Sequence, residues 1–326
     1  MSALWAIILD TWRQSRQQVV FMIMAGLLGL IALGAVVVAQ PVEIADEEGQ
    51  VREHVSLLGI EGSELFLEEA WMGIYSSTIF MQFDDTEERP DPFSEEGQAL
   101  QGELLDVAAQ ADRIEPKRRG VEVLLVAVAS AVFSLSMLLF IGAASGYFPA
   151  MLEAGAIDIV LAKPLERWKI YLGKYLGGLA LYTVAVGSTY LLLFIGIGLR
   201  TGIWHPAIAM VLPMQLLAAA ALFALLALAG VVWRSATLSM ILGYVYYIVV
   251  DSIVSLLTII PFKVAWLQSL QKLVRTFVPN FDQIKASATR SVINVPTIDW
   301  QAIAVVATWL VVSLGLGYWK FRRTDY

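Results

Sequence analysis

A chain of 326 residues that is 58% hydrophobic and only 16% charged is not a water-soluble enzyme, because soluble domains run near 45–50% apolar and about 25% charged. With no cysteine and two histidines, His54 and His205, it has no disulfide, no thiolate chemistry and little room for imidazole chemistry. The net charge of -7 belongs to one insert: residues 41–120 carry 20 acids and 6 bases, whereas the rest carries 9 acids and 16 bases.

Residues 1–18 come first, with Trp5, Ile8, Leu9 and Trp12 on one side of a helical segment Leu4–Arg16. This predicts an amphipathic helix lying in the membrane interface. A spanning helix needs about 20 mainly apolar residues, and six stretches qualify: Val19–Ala39, Val123–Phe148, Leu176–Leu199, Ala207–Val232, Ser239–Ile260 and Gln301–Trp319. None shows the two-residue alternation of barrel strands. The first span, assigned to 19–40, has too long an apolar core for a secretory signal. Its small-residue cleavage pattern is also spoiled by Val37, so it is expected to remain as an anchor.

Basic residues collect in the flanks that would share one side: Arg13, Arg16, Lys163, Arg167, Lys169, Lys174, Arg234, Lys320, Arg322 and Arg323. The positive-inside tendency then predicts cytoplasmic termini and an external insert. The five bases of the loop 261–299 (Lys263, Lys272, Arg275, Lys285 and Arg290) run against that rule. The insert 41–120 is long enough for a small external domain of mixed helix and strand. Its acids Asp84, Asp85, Glu87 and Glu88 lack the spacing of a calcium loop and read as a solvated surface.

After the second span, Leu152, Ile157, Val160 and Leu161 mark a short amphipathic helix that stops at Lys163–Pro164. A second helix then begins and runs into span three. Such a segment suits either force transfer from a docked partner or a basic loop that only sets topology. In the loop 261–299, Phe262, Trp266, Leu270, Leu273 or Val274, and Phe277 recur at helical spacing. This predicts an amphipathic helix, either in the outer interface or packed on the spans.

No phosphate-binding loop is present: the Gly173–Lys174 pair is followed by Tyr175 and lacks the upstream glycine. Driven work by this chain would need a partner or an ion gradient. The single acid deep in a span is Asp251, which with Tyr247 forms a candidate substrate path. The alternative for Asp251 is a hydrogen bond to a neighbouring helix. Small residues at Gly142–Gly146, Gly173–Gly177 and Ala218–Ala221 allow close helix contacts, within the chain or between copies.

The run Glu153-x-Gly155, then Leu161-x-Lys163-Pro164-x-x-Arg167, then Gly173–Lys174, resembles the signature region of type 2 ABC-transporter permeases. The basic-aromatic end Tyr318–Trp319–Lys320–Phe321–Arg322–Arg323–Thr324–Asp325–Tyr326 is also similar to theirs. The large first external loop resembles the branch that contains the permease of nitrous-oxide-reductase maturation. The resemblance implies an all-α polytopic protein in the inner (cytoplasmic) membrane, with an interfacial helix over 1–18 and an external domain over 41–120. Residues 121–326 would hold spans two to six.

It also implies no cofactor in this chain, with ATP and Mg held by two copies of a separate ABC ATPase. A second permease copy, or a homologous permease, would complete the unit. Within 149–173, Glu153, Gly155, Asp158, Lys163, Pro164 and Arg167 would couple to that ATPase. Cargo would follow the interface formed by spans one, two and five, and residues 41–120 would meet an external protein. Two other readings stand beside it: a gradient-driven carrier using Asp251, and a non-transporting membrane scaffold. Nothing in the sequence points to nucleic acid.

Overall fold

The structure, a computed structural model, describes residues 19–45, 50–83, 113–153, 166–260, 264–293 and 298–323. The expected interfacial helix of 1–18 lies outside these residues, as do Gly155, Asp158, Lys163 and Pro164 of the coupling segment. Six helices are long and apolar enough to cross a membrane, so the chain is an all-α multi-pass membrane protein.

The first span, α1 (Val19–Val38), contains no charged residue and ends where Pro41 begins to restrict the backbone. Strand β1 (Ala39–Ala45) follows directly and pairs antiparallel with β2 (Val51–Leu57), with Ala39 opposite Leu57. Pro41 is tolerated because each strand of a two-stranded ribbon has a free edge. Helix α2 (Ser63–Phe83) then lays Leu67 and Trp71 against the second span. The insert thus contains helix and strand as expected, but its edges differ. The ribbon starts at Ala39, and the second-span helix α3 (Pro116–Ala144) starts at Pro116, a first-turn proline with no amide to leave unpaired.

Helix α3 is followed by the short α4 (Tyr147–Met151), and the third span α5 runs unbroken over Arg167–Thr201. At 35 residues, α5 is about 52 Å long and ends on Gly202, whose φ of 76° supplies the left-handed cap. The fourth span is a 3-10 turn (Pro206–Met210) continued by α6 (Val211–Trp233). It is the central helix: 67% of its most apolar window is buried, and Ala218–Ala221 let neighbours come close. Around it stand α3, α4, α5, α7 (Ala236–Tyr244), α10 (Phe281–Arg290) and α11 (Trp300–Arg323).

The fifth span is not one regular helix. Between α7 and α8 (Asp251–Ile259), the six residues Val245–Val250 are wound as a π-helix. Beyond it, α9 (Ala265–Phe277) shows the expected amphipathic spacing and leaves Trp266, Leu270, Leu273 and Phe277 exposed. No element was assigned from the sequence to the second half of the 261–299 stretch. It forms α10, which turns back and packs on α3 and α6, burying Phe281, Ile284 and Ala288.

Glycines fix the closest approaches. A Cβ on Gly196 would lie 2.4 Å from Val36, so spans one and three meet there. A Cβ on Gly243 would lie 2.7 Å from Leu226 and 2.8 Å from Ile141, joining span five to spans four and two. Gly142 faces the Tyr244 hydroxyl and Gly146 faces Ala236, so this small-residue pair serves packing within the chain.

Candidate coupling site and buried polar centres

Of the six residues expected to couple to an ATPase, Glu153 and Arg167 are described, on either side of residues 154–165. Glu153 is exposed in the bend after α4, and Arg167 is the first residue of α5. The Arg167 Nη1 donates to the Arg322 carbonyl at 2.8 Å, tying the start of span three to the end of span six. Beside it, Glu166 accepts from Trp168 Nε1 at 2.5 Å and pairs with Lys169 at 3.0 Å. These donors hold the Glu166 carboxyl below its ordinary value.

The chain on either side of those residues is rooted in one aromatic block. Phe148 of α4 lies 5.0 Å from Tyr171 of α5 and 6.0 Å from Phe223 of α6, and Tyr171 lies 5.8 Å from Phe321 of α11. Tyr175 stacks on Phe223 at 5.0 Å and donates to the Ala220 carbonyl at 2.7 Å. The block closes around small residues. A Cβ would lie 2.8 Å from Phe223 and Tyr147 at Gly178, 2.9 Å from Pro149 at Gly230, and 2.2 Å from the Tyr171 hydroxyl at Gly317. A side chain packed this closely transmits displacement because dense interiors compress little.

Further along the same helices sits a buried polar network that sequence reading missed. Gln215 of α6 donates to Ser136 Oγ at 2.6 Å and to the Tyr182 hydroxyl at 3.0 Å, and accepts from Tyr190 at 2.5 Å. Ser136 and Tyr182 are also 2.8 Å apart. The network joins spans two, three and four through buried side chains. A lone glutamine within an apolar span was the signal available.

On the hairpin side, Glu122 is 1% exposed and gathers three elements. Trp71 Nε1 of α2 donates to it at 2.8 Å and Arg118 Nε at 3.0 Å. His205 Nε2, from the connection between spans three and four, lies 3.0 Å from it. Burying a carboxylate is costly unless donors converge on it, and here they come from separate parts of the chain. Arg119 adds a pair with Glu68 at 3.2 Å and sits over the Trp71 ring at 5.3 Å. Burial, then the Glu122 charge, push the Tyr75 phenol above its ordinary value.

Asp251 is also buried, at 4% exposure, and its carboxylate accepts the Phe281 amide at 2.6 Å. That amide is one of the unpaired donors at the start of α10. Asn280 caps another, accepting from Gln283 at 2.9 Å. Tyr246 donates to the Pro279 carbonyl at 2.8 Å, Ser255 donates to Asp282 at 2.9 Å, and Lys285 pairs with Asp282. Burial raises the Asp282 carboxyl, but Lys285, Ser255 and Arg290 outweigh it and hold the group below its ordinary value. Tyr247 lies 6.3 Å from Phe281, ring to ring. Of the two alternatives read for Asp251, the hydrogen bond to a neighbouring helix is present, and the neighbour is α10.

Among the described residues, no group of three or more acids and histidines could hold a metal ion. A groove of about 410 Å³ opens between the start of span one, the end of span two and the start of span five. It is lined by Val20, Gly142, Ser145, Ala236, Thr237 and Met240, among others.

No curated protein matches the chain. A family model described as ABC-2 family transporter protein matches residues 5–326, which covers residues 149–173, all six spans and the insert, and the chain therefore belongs to the ABC-2 transporter family.

Proposed function

We propose that this chain is the permease subunit of an ATP-driven transporter, with nucleotide hydrolysis carried out by a separate ATPase. The observation that carries the proposal is the seating of both ends of the coupling segment on one aromatic block, through Phe148 on one side and Tyr171 on the other. A partner pressing on 149–167 would move spans two, three, four and six as a body. Glu153 and Arg167 are the described residues offered to that partner, and Gly155, Asp158, Lys163 and Pro164 complete the segment.

The face bearing Arg167, Arg234 and Arg323 would be cytoplasmic and the β-ribbon external, in the inner (cytoplasmic) membrane. Spans five, six and one are the least enclosed, with 17%, 22% and 28% of their apolar windows buried. That openness suits a second permease copy meeting this one along spans one, two and five, beside the groove at Val20 and Met240. Two ATPases would complete the assembly, and an external protein docked on the insert would receive cargo or mechanical work. Asp251 then acts by holding α10 in place.

The test is nucleotide turnover and transport by the complex purified with its ATPase and reconstituted in nanodiscs and vesicles. Glu153→Ala and Arg167→Ala are expected to leave the complex assembled but to cut transport-coupled hydrolysis at least about tenfold. Unchanged coupling in both variants, or a purified chain that never retains an ATPase, would overturn the proposal.

A further inference from the structure

The insert contains an apolar surface, level with the ends of spans one and three, that the transport reading does not use. Between residues 58 and 66, four large apolar side chains are more than half exposed: Leu58 54%, Ile60 59%, Leu65 62% and Phe66 63%. We propose that this turn, with the first turn of α2, is a lipid anchor seated at the headgroup–acyl boundary of the leaflet on the hairpin side.

Three contacts set its depth. The Leu58 amide donates to the carbonyl of Val38, the last residue of span one, at 2.9 Å. Leu57 is paired with Ala39, and Arg200, in the last turn of span three, donates to the Ala39 carbonyl at 2.6 Å. The β-ribbon thus leaves the membrane along β1 and returns along β2, delivering residues 58–66 to the level where two spans end. Exposed apolar groups at that level have hydrocarbon beside them, since spanning helices end where the acyl region does.

The local chemistry agrees. Leu58 has φ of 56°, a left-handed conformation for which a water-facing turn would ordinarily use Gly or Asn. The other face of α2 is already occupied, because Leu67 and Trp71 are buried against the second span. Two acids of the region have partners within the chain, since Glu64 accepts from the Gly62 amide at 3.0 Å and Glu68 pairs with Arg119, while Glu61 is exposed. With two acids and no base among residues 58–66, the anchor is held by burial of hydrocarbon and not by attraction to anionic headgroups. Its occupancy is therefore independent of lipid charge. This separates it from α9, whose polar face carries Lys272 and Arg275.

The chain has no cysteine, so a single introduced one can be spin-labelled cleanly. Leu58→Cys, Leu65→Cys and Phe66→Cys would each be labelled in the full-length protein. The samples would be reconstituted in phosphatidylcholine vesicles with and without phosphatidylglycerol. Glu43→Cys, on the exposed side of β1, is the aqueous control. The readout is relaxation by oxygen, which partitions into hydrocarbon, against a water-soluble nickel chelate. The three anchor sites are expected to favour oxygen and the control to favour nickel, in both lipid mixtures alike.

Preference for nickel at all three anchor sites overturns the proposal. Spin–spin broadening that disappears on dilution with unlabelled protein also overturns it, by placing a second copy there. Protection from both reagents without broadening would assign the surface to protein packing and would be equally fatal.

Discussion

Glu122 shows how much one side chain can hold in this protein. Its carboxylate joins the insert helix through Trp71, its own helix through Arg118, and the connection between spans three and four through His205. Removing it leaves Arg118 and the buried His205 and Trp71 without their acceptor. Breaking a buried charged cluster from one side costs about 3–5 kcal/mol. Glu122→Ala is therefore expected to lower the unfolding temperature sharply in detergent and to raise proteolysis of the insert, whereas Glu122→Gln keeps one acceptor and loses less. An insert that stays protected in Glu122→Ala would show that the cluster is incidental. In the sequence, Glu122 was legible only as an acid near a membrane edge. Apart from Arg118, four positions away, its partners Trp71 and His205 lie 51 and 83 positions away, and spacing along one chain carries no information about such meetings. Gln215 was similarly readable as an anomaly in an alanine-rich span, but Ser136, Tyr182 and Tyr190 were not readable as its partners.

At the scale of elements, the π-wound stretch Val245–Val250 determines which way the second half of span five faces. One residue of extra winding turns everything after it by about 100°, and here that rotation brings Tyr246 and Asp251 onto the start of α10. Asp251→Ala removes the acceptor of the Phe281 amide without altering the winding. Amide exchange over Phe281–Ile284 is then expected to quicken about tenfold, the effect of losing about 1.4 kcal/mol of local stability, while exchange in α6 stays slow. Unchanged exchange at Phe281 would mean that α10 is held by packing alone.

The π-winding has no compositional mark, since Val-Tyr-Tyr-Ile-Val-Val suits a plain apolar helix equally well. Helix α10 did leave a mark, because Asn280 followed three residues later by Gln283 is a capping pattern. It was masked by the five bases of the surrounding stretch, which read as a loop. By contrast α9 was legible as a helix, because Trp266, Leu270, Leu273 and Phe277 recur at helical spacing.

As a whole molecule, the chain divides into a dense centre and open flanks. The number and order of the spans were legible because membrane thickness sets a length that apolar runs must meet. The family resemblance likewise rested on a short polar run whose position between spans two and three is part of the signal. What sequence could not show is that spans two, three, four and six share one aromatic block. Gly317→Ala tests that unity, because the new Cβ must displace the Tyr171 hydroxyl. It is expected to lower stability and blunt ATPase coupling together. Gly315→Ala, where a Cβ meets nothing within 4 Å, should do neither. Equal behaviour of the two variants would argue against a single moving body.

The length of α5 has a mechanical consequence. It is one rigid rod from Arg167 to Thr201, and Tyr182, pinned between Ser136 and Gln215, acts as its fulcrum. At 1.5 Å per residue the arm from Arg167 to Tyr182 is about 22 Å, and the arm from Tyr182 to Arg200 about 27 Å. A sideways push at Arg167 is then returned at Arg200 in the opposite direction, multiplied by about 1.2. Because Arg200 grips the Ala39 carbonyl, the β-ribbon would ride on the far end of that lever.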